Sequence, residues 1–467
     1  MNPAIRLTMI VTSIDPRTGK EVARFRSTKL ADVQVAVDRA RAGHAKWWRG
    51  QKKAERVAVL RRVERAFERN SESLIDAASL ETGIPRVSIS SGFDSAMRGF
   101  SYYAARYERL DDLAFPLDAA AWNDTSARVV FEPHGVIGQI GVWNYPIWQT
   151  MITSIPALLA GNSIVYKPSE FVTLTGLRIA EAFHVGGVPE DVLIPIVGGK
   201  AVGRALVRSD CDAIVFTGGL ETGREIIGRA GVKPLILELS GNDAGIVCDD
   251  ADLQTAARGI ATGTFSRAGQ ICIRIKRVYV NERIADPFLG ELVDIASKID
   301  VASQVGPMIR DEAREKVDTA VREAVAAGAR LLLGGKKIDG PGFFYEPTVL
   351  VLDKPARIMS QETFGPVCSV MIVKDDEEAI RLANESEYGL GATIWTSDMN
   401  RADRIASSLE VGNVWVNEWG RALTCGEYFQ GWKSSGIASS QERLMMFLKK
   451  KSIITHAVSE PRASWFR

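Results

Sequence analysis

From Val129 onward, short apolar runs rich in β-branched residues alternate with segments of helical spacing, and few architectures accommodate that pattern. In the first half the runs are SIVYK (163–167), VLIPIVGG (192–199), AIVFTGG (213–219), LILELSG (235–241) and AGIVC (244–248). A helix through Ile155 precedes them, and Leu174 to Phe183 and Ala201 to Arg208 carry helical spacing between them. Apolar strands alternating with helices predict an α/β fold with a parallel sheet covered on both faces. The pattern then repeats in RVYVNE (277–282), helices over Pro287 to Ile299 and Glu312 to Ala327, then LLLGG, CSVMIVKD, ATIWTSD and NVWVN. Two such units in one chain suit a site between them.

The first part reads as helices: Ala31 to Trp48, then Ala54 to Leu80 until Gly83-Ile84-Pro85 stops the run, then about Ser95 to Leu110. Two segments are expected to lie outside both units. Thr125 to Ile140 holds two extended runs around Pro133-His134-Gly135, and SIITHAV lies near the end of the chain. Unpaired strand edges are adhesive, so these pieces suit contacts between subunits; a flap packed on its own subunit would read the same way.

Composition narrows the partners. The 467 residues carry 58 Lys plus Arg against 57 Asp plus Glu, which gives no electrostatic reason to expect nucleic acid or an anionic membrane. The apolar stretch from Leu7 to Val11 is too short for a signal-peptide core, and no apolar run approaches the roughly 18 residues of a membrane span. The five cysteines (Cys211, Cys248, Cys272, Cys368, Cys425) are scattered and form no CxxC pair, so neither a disulfide framework nor a metal site is expected. A cytoplasmic protein in a reducing compartment fits.

Four segments carry candidate chemistry. In AIVFTGGLETGREIIGRA a strand ends at Thr217-Gly218-Gly219 and a helix begins near Glu221-Thr222-Gly223. Glycines let the backbone approach a ligand, and free N–H groups at a helix start favour an anion. The spacing is not the usual G-x-G-x-x-G, so an ordinary glycine-rich connection reads equally well. Cys272 lies in FSRAGQICIRIKR, with Arg274, Lys276 and Arg277 giving the segment a positive bias. Thiolate is the nucleophilic form, although most lone cysteines are inert core residues. The four histidines (His44, His134, His184, His456) lie elsewhere, which disfavours a Cys–His hydrolase. Glu238, flanked by Ile236, Leu237 and Leu239, is a carboxylate in an apolar run. It suits a general base if desolvated, or the wet side of an edge strand. Asn144, between Trp143 and Tyr145, is an amide able to stabilise an oxyanion, or a helix cap.

Read in order, these motifs resemble the aldehyde dehydrogenase superfamily from about Ile14 to Ser452. The landmarks are W-N-x-P at Trp143–Pro146, K-P-S-E at Lys167–Glu170, F-T-G at Phe216–Gly218 and E-L-x-G at Glu238–Gly241. They continue with G-Q-x-C at Gly269–Cys272, E-x-F-G-P at Glu362–Pro366 and a degenerate F-x-G-x-K at Phe429–Lys433. The resemblance implies a Rossmann-like cofactor-binding domain (1–120 and 141–240), an α/β catalytic domain (241–436) and a small β oligomerisation element (121–140 and 437–467). It also implies a homodimer or homotetramer. Cys272 would be the nucleophile, Asn144 with the Cys272 N–H would hold the oxyanion, and Glu238 would activate the water that hydrolyses the thioester.

The implied cofactor positions are Trp143, Lys167, Ser169, Glu170, Phe216, Gly218, Gly219, Gly223, Leu239, Glu362 and Phe364. NAD is favoured over NADP, because a carboxylate at Glu170 accepts from a ribose hydroxyl and repels a 2′-phosphate. Tyr145, Gln149, Ile152, Ile271, Ile273 and Phe429 would line the tunnel for a small aldehyde, with Glu418 and Arg421 in a nearby loop. Departures from the family pattern include Val142, Gly219, Ser240, Asn242, Arg274, Tyr428 and Gln430, and they bear on substrate choice. A CoA-acylating semialdehyde dehydrogenase is the nearest alternative, but such relatives lack a glutamate at the position of Glu238. A non-catalytic protein on the same fold would have lost Cys272 or Glu238.

Overall fold

The structure is a computed structural model that describes residues 9–115, 125–420, 428–437 and 442–456. Two mainly parallel sheets dominate it, as the alternating pattern predicts. The first has six strands in the order 436–437, 235–238, 213–217, 136–140, 163–167, 193–195. The second has seven, ordered 330–333, 348–352, 367–373, 275–281, 243–247, 391–395, 413–416.

Each sheet is apolar on both faces. On one side of the first, Val33, Val37, Val202 and Leu206 of the flanking helices meet Val136, Val165 and Ile214. On the other, Phe67, Phe100 and Phe183 pack under Ile137, Ile164 and Val215. The helices Leu253–Phe265 and Ala285–Ser297 cover one face of the second sheet through Ile260, Phe288 and Leu292. Val317, Val321 and Ile405 close the opposite face. Strands buried on both sides carry apolar residues at most positions, which explains their near-continuous runs.

The N-terminal part departs from an all-helical reading. Ile10–Asp15 and Lys20–Arg26 form an antiparallel hairpin across the Asp15-Pro16 turn, with Gly19 at φ 70°. The expected run from Ala54 to Leu80 is two helices, Lys53–Arg69 and Ser71–Thr82. They part at Asn70, whose side-chain amide turns back to the Ala66 carbonyl at 2.8 Å and competes with helix propagation. The third helix starts earlier than the spacing predicts, at Arg86, where Pro85 sets its first turn.

The segment 125–140 is divided, which corrects the expectation that all of it lies outside the main sheets. Thr125–Pro133 pairs with Leu448–His456 and Leu113–Phe115 in a separate antiparallel sheet. Val136–Ile140 instead sits in the middle of the first sheet, between 163–167 and 213–217. Gly135, at φ 129°, makes the joint: a Cβ there would lie 2.3 Å from an Asp212 carboxylate oxygen. Periodicity reports an extended run but not which faces it buries, so the two strands look alike in sequence. Gly436–Ile437 likewise joins the edge of the first sheet, pairing antiparallel with Leu237–Glu238, so the 436/437 boundary does not separate structural units.

Candidate active site

Cys272 follows a strained turn. The helix Leu253–Phe265 ends at Ser266, and Arg267, Ala268 and Gly269 then take φ of 54°, 55° and 68° in succession. Two of the three are not glycine, so the surroundings must hold the turn against its own preference. Glycine is required at 269, where a Cβ would stand 2.2 Å from the Gly365 carbonyl oxygen. The buried Gln270 is the latch: its amide donates to Arg267 O (3.2 Å) and Pro307 O (3.1 Å), and its oxygen accepts from Ile309 N at 2.8 Å.

Arg267 is buried behind this turn. Its guanidinium lies 3.8 Å from the Tyr145 ring centroid and donates to Asn144 O (2.8 Å) and to Ser88 Oγ (2.9 Å). Asn144 is buried and donates Nδ2 to the Gln270 carbonyl at 2.9 Å, which joins it to the cysteine loop. The amide has a second hydrogen, and that one remains for a ligand.

Helix Pro146–Leu159 starts directly after Asn144–Tyr145, with proline at its first position. Within its first turn, Gln149 donates to Thr217 Oγ1 (2.7 Å) and Glu238 Oε2 (3.3 Å). Glu238 ends the strand Leu235–Glu238. Its other oxygen pairs with the fully buried Arg443, so the carboxylate is not in the purely apolar setting the flanking leucines suggest. Arg267, Gln270 and Arg443 were not singled out by sequence pattern. The signal for them was slight: a glutamine inside the G-Q-x-C landmark, and two arginines whose burial only the fold reveals.

The remaining charges sort differently from the sequence reading. Arg274, a departure from the family pattern that was expected to bear on substrate choice, lies in the interior. It is fully buried and donates to the carbonyls of Val367 and Thr363, both at 2.5 Å, bracing the loop that carries Glu362 and Phe364. Arg277 donates to Asn242 O at 2.8 Å. Only Lys276 of the basic trio serves the cysteine, donating to the Cys272 carbonyl at 2.6 Å and pairing with Glu362 at 3.4 Å. Cys272 keeps part of its surface open, yet burial pushes its thiol up to about 12, with Lys276 the leading opposing influence. Basic neighbours in sequence therefore do not by themselves lower this thiol.

Of the expected tunnel residues, Tyr145, Ile273 and Phe429 retain partial exposure, while Gln149 and Ile271 are buried. Ile152 exposes no surface and is a packing residue, which corrects its assignment to the lining. Trp419 was not expected here; its indole donates to Ile273 O at 2.7 Å. Arg421 lies outside the described residues, as does Cys425.

A groove of about 280 Å³ opens at the C-terminal ends of the first sheet, where the strand order reverses between 136–140 and 213–217. That switch point is where open α/β sheets bind ligands. Trp143, Lys167, Ser169, Glu170, Phe216, Gly218 and Gly219 line it. Nothing lies within 4 Å of where a Cβ on Gly219 would stand, and Gly218 N is anchored to Glu238 O at 2.9 Å. The helix Leu220–Ile227 begins at this point; its first N–H, of Leu220, donates to Ser240 Oγ at 3.0 Å, and those of Glu221 and Thr222 remain for a ligand. Gly223 is packed on Leu239, which supports the groove from below: a Cβ would meet Leu239 at 2.5 Å. Lys167 Nζ is 3.3 Å from Glu170 Oε2, and its burial lowers the ammonium pKa. Phe364 stands edge-on to Trp143, with ring centroids 5.6 Å apart. A carboxylate, an ammonium, a bare glycine turn and a helix start suit a dinucleotide.

The sequence profile described as the aldehyde dehydrogenase family matches residues 6–453. The chain belongs to the aldehyde dehydrogenase family. It is 35% identical over 440 residues to betaine aldehyde dehydrogenase of Bacillus subtilis (strain 168), covering 91% of this chain and 89% of that one. It is 36% identical over 445 residues to 2-hydroxymuconic semialdehyde dehydrogenase of Pseudomonas sp. (strain CF600), covering 91% of each. Among solved structures, a betaine aldehyde dehydrogenase from Staphylococcus aureus in complex with NAD+ superposes with a TM-score of 0.93 at 31% identity, covering 98% of this chain and 94% of that one.

As an aldehyde dehydrogenase, this chain is an oxidoreductase that oxidises an aldehyde with a nicotinamide cofactor. Among the described residues no helix is long and apolar enough to cross a membrane.

Proposed function

We propose that Cys272 adds to the carbonyl carbon of a small aldehyde while the free Asn144 amide hydrogen and the Cys272 backbone N–H receive the developing oxyanion. The observation that carries this reading is the Asn144–Gln270 hydrogen bond of 2.9 Å, which ties the oxyanion amide to the nucleophile's own loop. Donors fixed before the reaction stabilise charge without reorganisation. A bound nicotinamide supplies the hydride acceptor that turns the thiohemiacetal into a thioester. Trp143, Lys167, Ser169, Glu170, Phe216, Gly218, Gly219, Glu362 and Phe364 would hold that cofactor, with Gly223 and Leu239 supporting the turn.

Glu238 then takes a proton from water as its oxygen attacks the thioester carbonyl. The acid leaves and the sulfur is restored. Gln149 steers this carboxylate from the same helix that Asn144 introduces, so one element serves both half-reactions. Hydrolysis is favoured over transfer to CoA because this base is present. NAD is favoured over NADP because Glu170 stands in the groove, and its charge would repel a 2′-phosphate.

The strand Leu448–His456 forms the edge of the small antiparallel sheet, and Ile454 on it is exposed. This supports a homodimer or homotetramer built through that sheet. The described cysteines are all free thiols, which suits a cytoplasmic enzyme.

The test is cofactor reduction by the purified protein with NAD and with NADP. The panel should include short, long, aromatic and charged aldehydes, among them betaine aldehyde and 2-hydroxymuconic semialdehyde. Turnover with NAD that disappears in Cys272→Ala, while cofactor binding persists, is the expected result. Unchanged turnover in that variant sinks the covalent mechanism.

A further inference from the structure

Arg443 is among the largest fully buried side chains of the protein, and a guanidinium carries a permanent charge that burial alone would make costly. It lies just before the single turn Leu444–Phe447, which leads into the strand Leu448–His456. Its neighbour Glu442 turns the other way, pairing with Arg106 on the helix Arg86–Glu108 at 2.5 Å. Arg443 reaches inward and donates Nη2 to Glu238 Oε1. The side chains of the pair are 1% and 13% exposed, so this is an internal contact and not a surface ion pair.

We propose that Arg443 is a positioning residue for Glu238, holding the base in place for attack on the thioester from the C-terminal segment of the chain. The proposal rests on the reading that Glu238 activates water. Glu238 is gripped from two directions: Arg443 takes Oε1, and the Gln149 amide takes Oε2. An ionised carboxylate offers about four acceptor sites, so two held donors fix its plane and still leave a lone pair for water. The backbone is gripped as well, because Gly436–Ile437 pairs with Leu237–Glu238.

A general base is effective only within hydrogen-bond reach of the water it deprotonates, and a swinging glutamate spends little time there. The C-terminal segment therefore does more than join the outer sheet. The residues that continue into its edge strand also set the second half-reaction, so loosening this segment would slow release of the acid before it affects hydride transfer.

The experiment compares single-turnover and steady-state NADH formation in Arg443→Gln, Arg443→Lys, Glu238→Gln and the double variant Glu238→Gln/Arg443→Gln. Arg443→Gln is expected to keep its single-turnover rate within about twofold of wild type while its steady-state rate falls roughly 10- to 100-fold, less than the roughly 10²- to 10⁴-fold a general base itself contributes, because the base is misplaced and not removed. Arg443→Lys, which retains the charge, should recover most of that loss. Adding Arg443→Gln to Glu238→Gln should change the steady-state rate less than about twofold, because an arginine acting through Glu238 has nothing left to position. A wild-type steady-state rate in Arg443→Gln overturns the proposal. So does an equal fall of both rates in the glutamine and lysine variants, which is the signature of a purely structural role. If the glutamine variant does not fold, the lysine variant decides alone: a steady-state rate that falls more than its single-turnover rate supports the proposal, and an equal fall or no change in both overturns it. A full steady-state rate in Glu238→Gln instead removes Glu238 as the base, a different failure with its own signature.

Discussion

The ammonium of Lys276 lies 2.6 Å from the backbone carbonyl oxygen of Cys272, four residues earlier, and 3.4 Å from the Glu362 carboxylate. One buried cation thus fastens the Cys272 loop and faces Glu362, one of the implied cofactor positions. It also opposes the desolvation that pushes the thiol up to about 12.

A thiol held near 12 is almost wholly protonated at neutral pH. In cofactor-free protein, alkylation of Cys272 by iodoacetamide is expected to be slow at pH 7 and to rise about tenfold per pH unit up to pH 10. Replacing Lys276 by Met removes the leading influence that favours thiolate and should slow alkylation about another tenfold at each pH. Mass spectrometry of the modified peptide measures both, and a rate independent of pH between 7 and 10 would contradict the burial argument.

The buried Asn144 amide has one hydrogen committed to Gln270 O and one to spare. Asn144→Ala should lower kcat by about 10²- to 10³-fold, the range seen when one oxyanion donor is removed. Alkylation of Cys272 should change little, because the thiol itself is untouched. A parallel loss of alkylation would mean that Asn144 shapes the loop and does not act on the oxyanion.

Glu170 shares the groove with Lys167, and the two lie 3.3 Å apart. Glu170→Gln removes the charge that repels a 2′-phosphate while leaving Lys167 in place. The ratio of kcat/KM for NADP to that for NAD is expected to rise about tenfold, a shift of roughly 1.4 kcal/mol. An unchanged ratio would free Glu170 from any part in choosing the cofactor.

Asp243 is buried, and neither carboxylate oxygen has a hydrogen-bond partner among the described residues, although Gly391 N–H lies near enough to favour the charged form. Burial raises its pKa from 3.8 to about 7. The folded state then binds a proton that the unfolded state has released. Stability from this residue is full below about pH 4, declines as pH rises, and levels off above about pH 7. At pH 8 the accumulated loss is about 4 kcal/mol by linkage. Asp243→Asn cannot titrate, so its Tm relative to wild type should climb between pH 4 and 7 and then stay constant. A difference in Tm that is flat across that window would show that Asp243 is not held in this way.

Much of the fold could be read from the chain because parallel strands buried on both faces leave continuous apolar runs, and those runs were found where the strands are. The hairpin at Ile10–Arg26 was missed because its short strands are half polar and lie among helices. Thr348–Leu352 also went unmarked, although all five of its residues are buried. Val136–Ile140 was assigned to the outer element because an extended run does not declare its partners. At the site, the order of motifs pointed to Asn144, Glu238 and Cys272. It gave no account of Arg267, Gln270 or Arg443, whose partners lie far away in sequence.

The chemical inventory was thus determined by sequence: a thiol, an amide, a carboxylate and a glycine turn. Tertiary structure alone decided how the charges sort. Arg274, Lys276 and Arg277 are alternate or adjacent residues, yet one braces the Glu362 loop, one faces Cys272 and one ties down Asn242. The reason is geometric. Local preferences act over a few residues, whereas the field at a buried group is set by whatever the fold brings within a few ångströms, and for Glu238 that was an arginine 205 positions away.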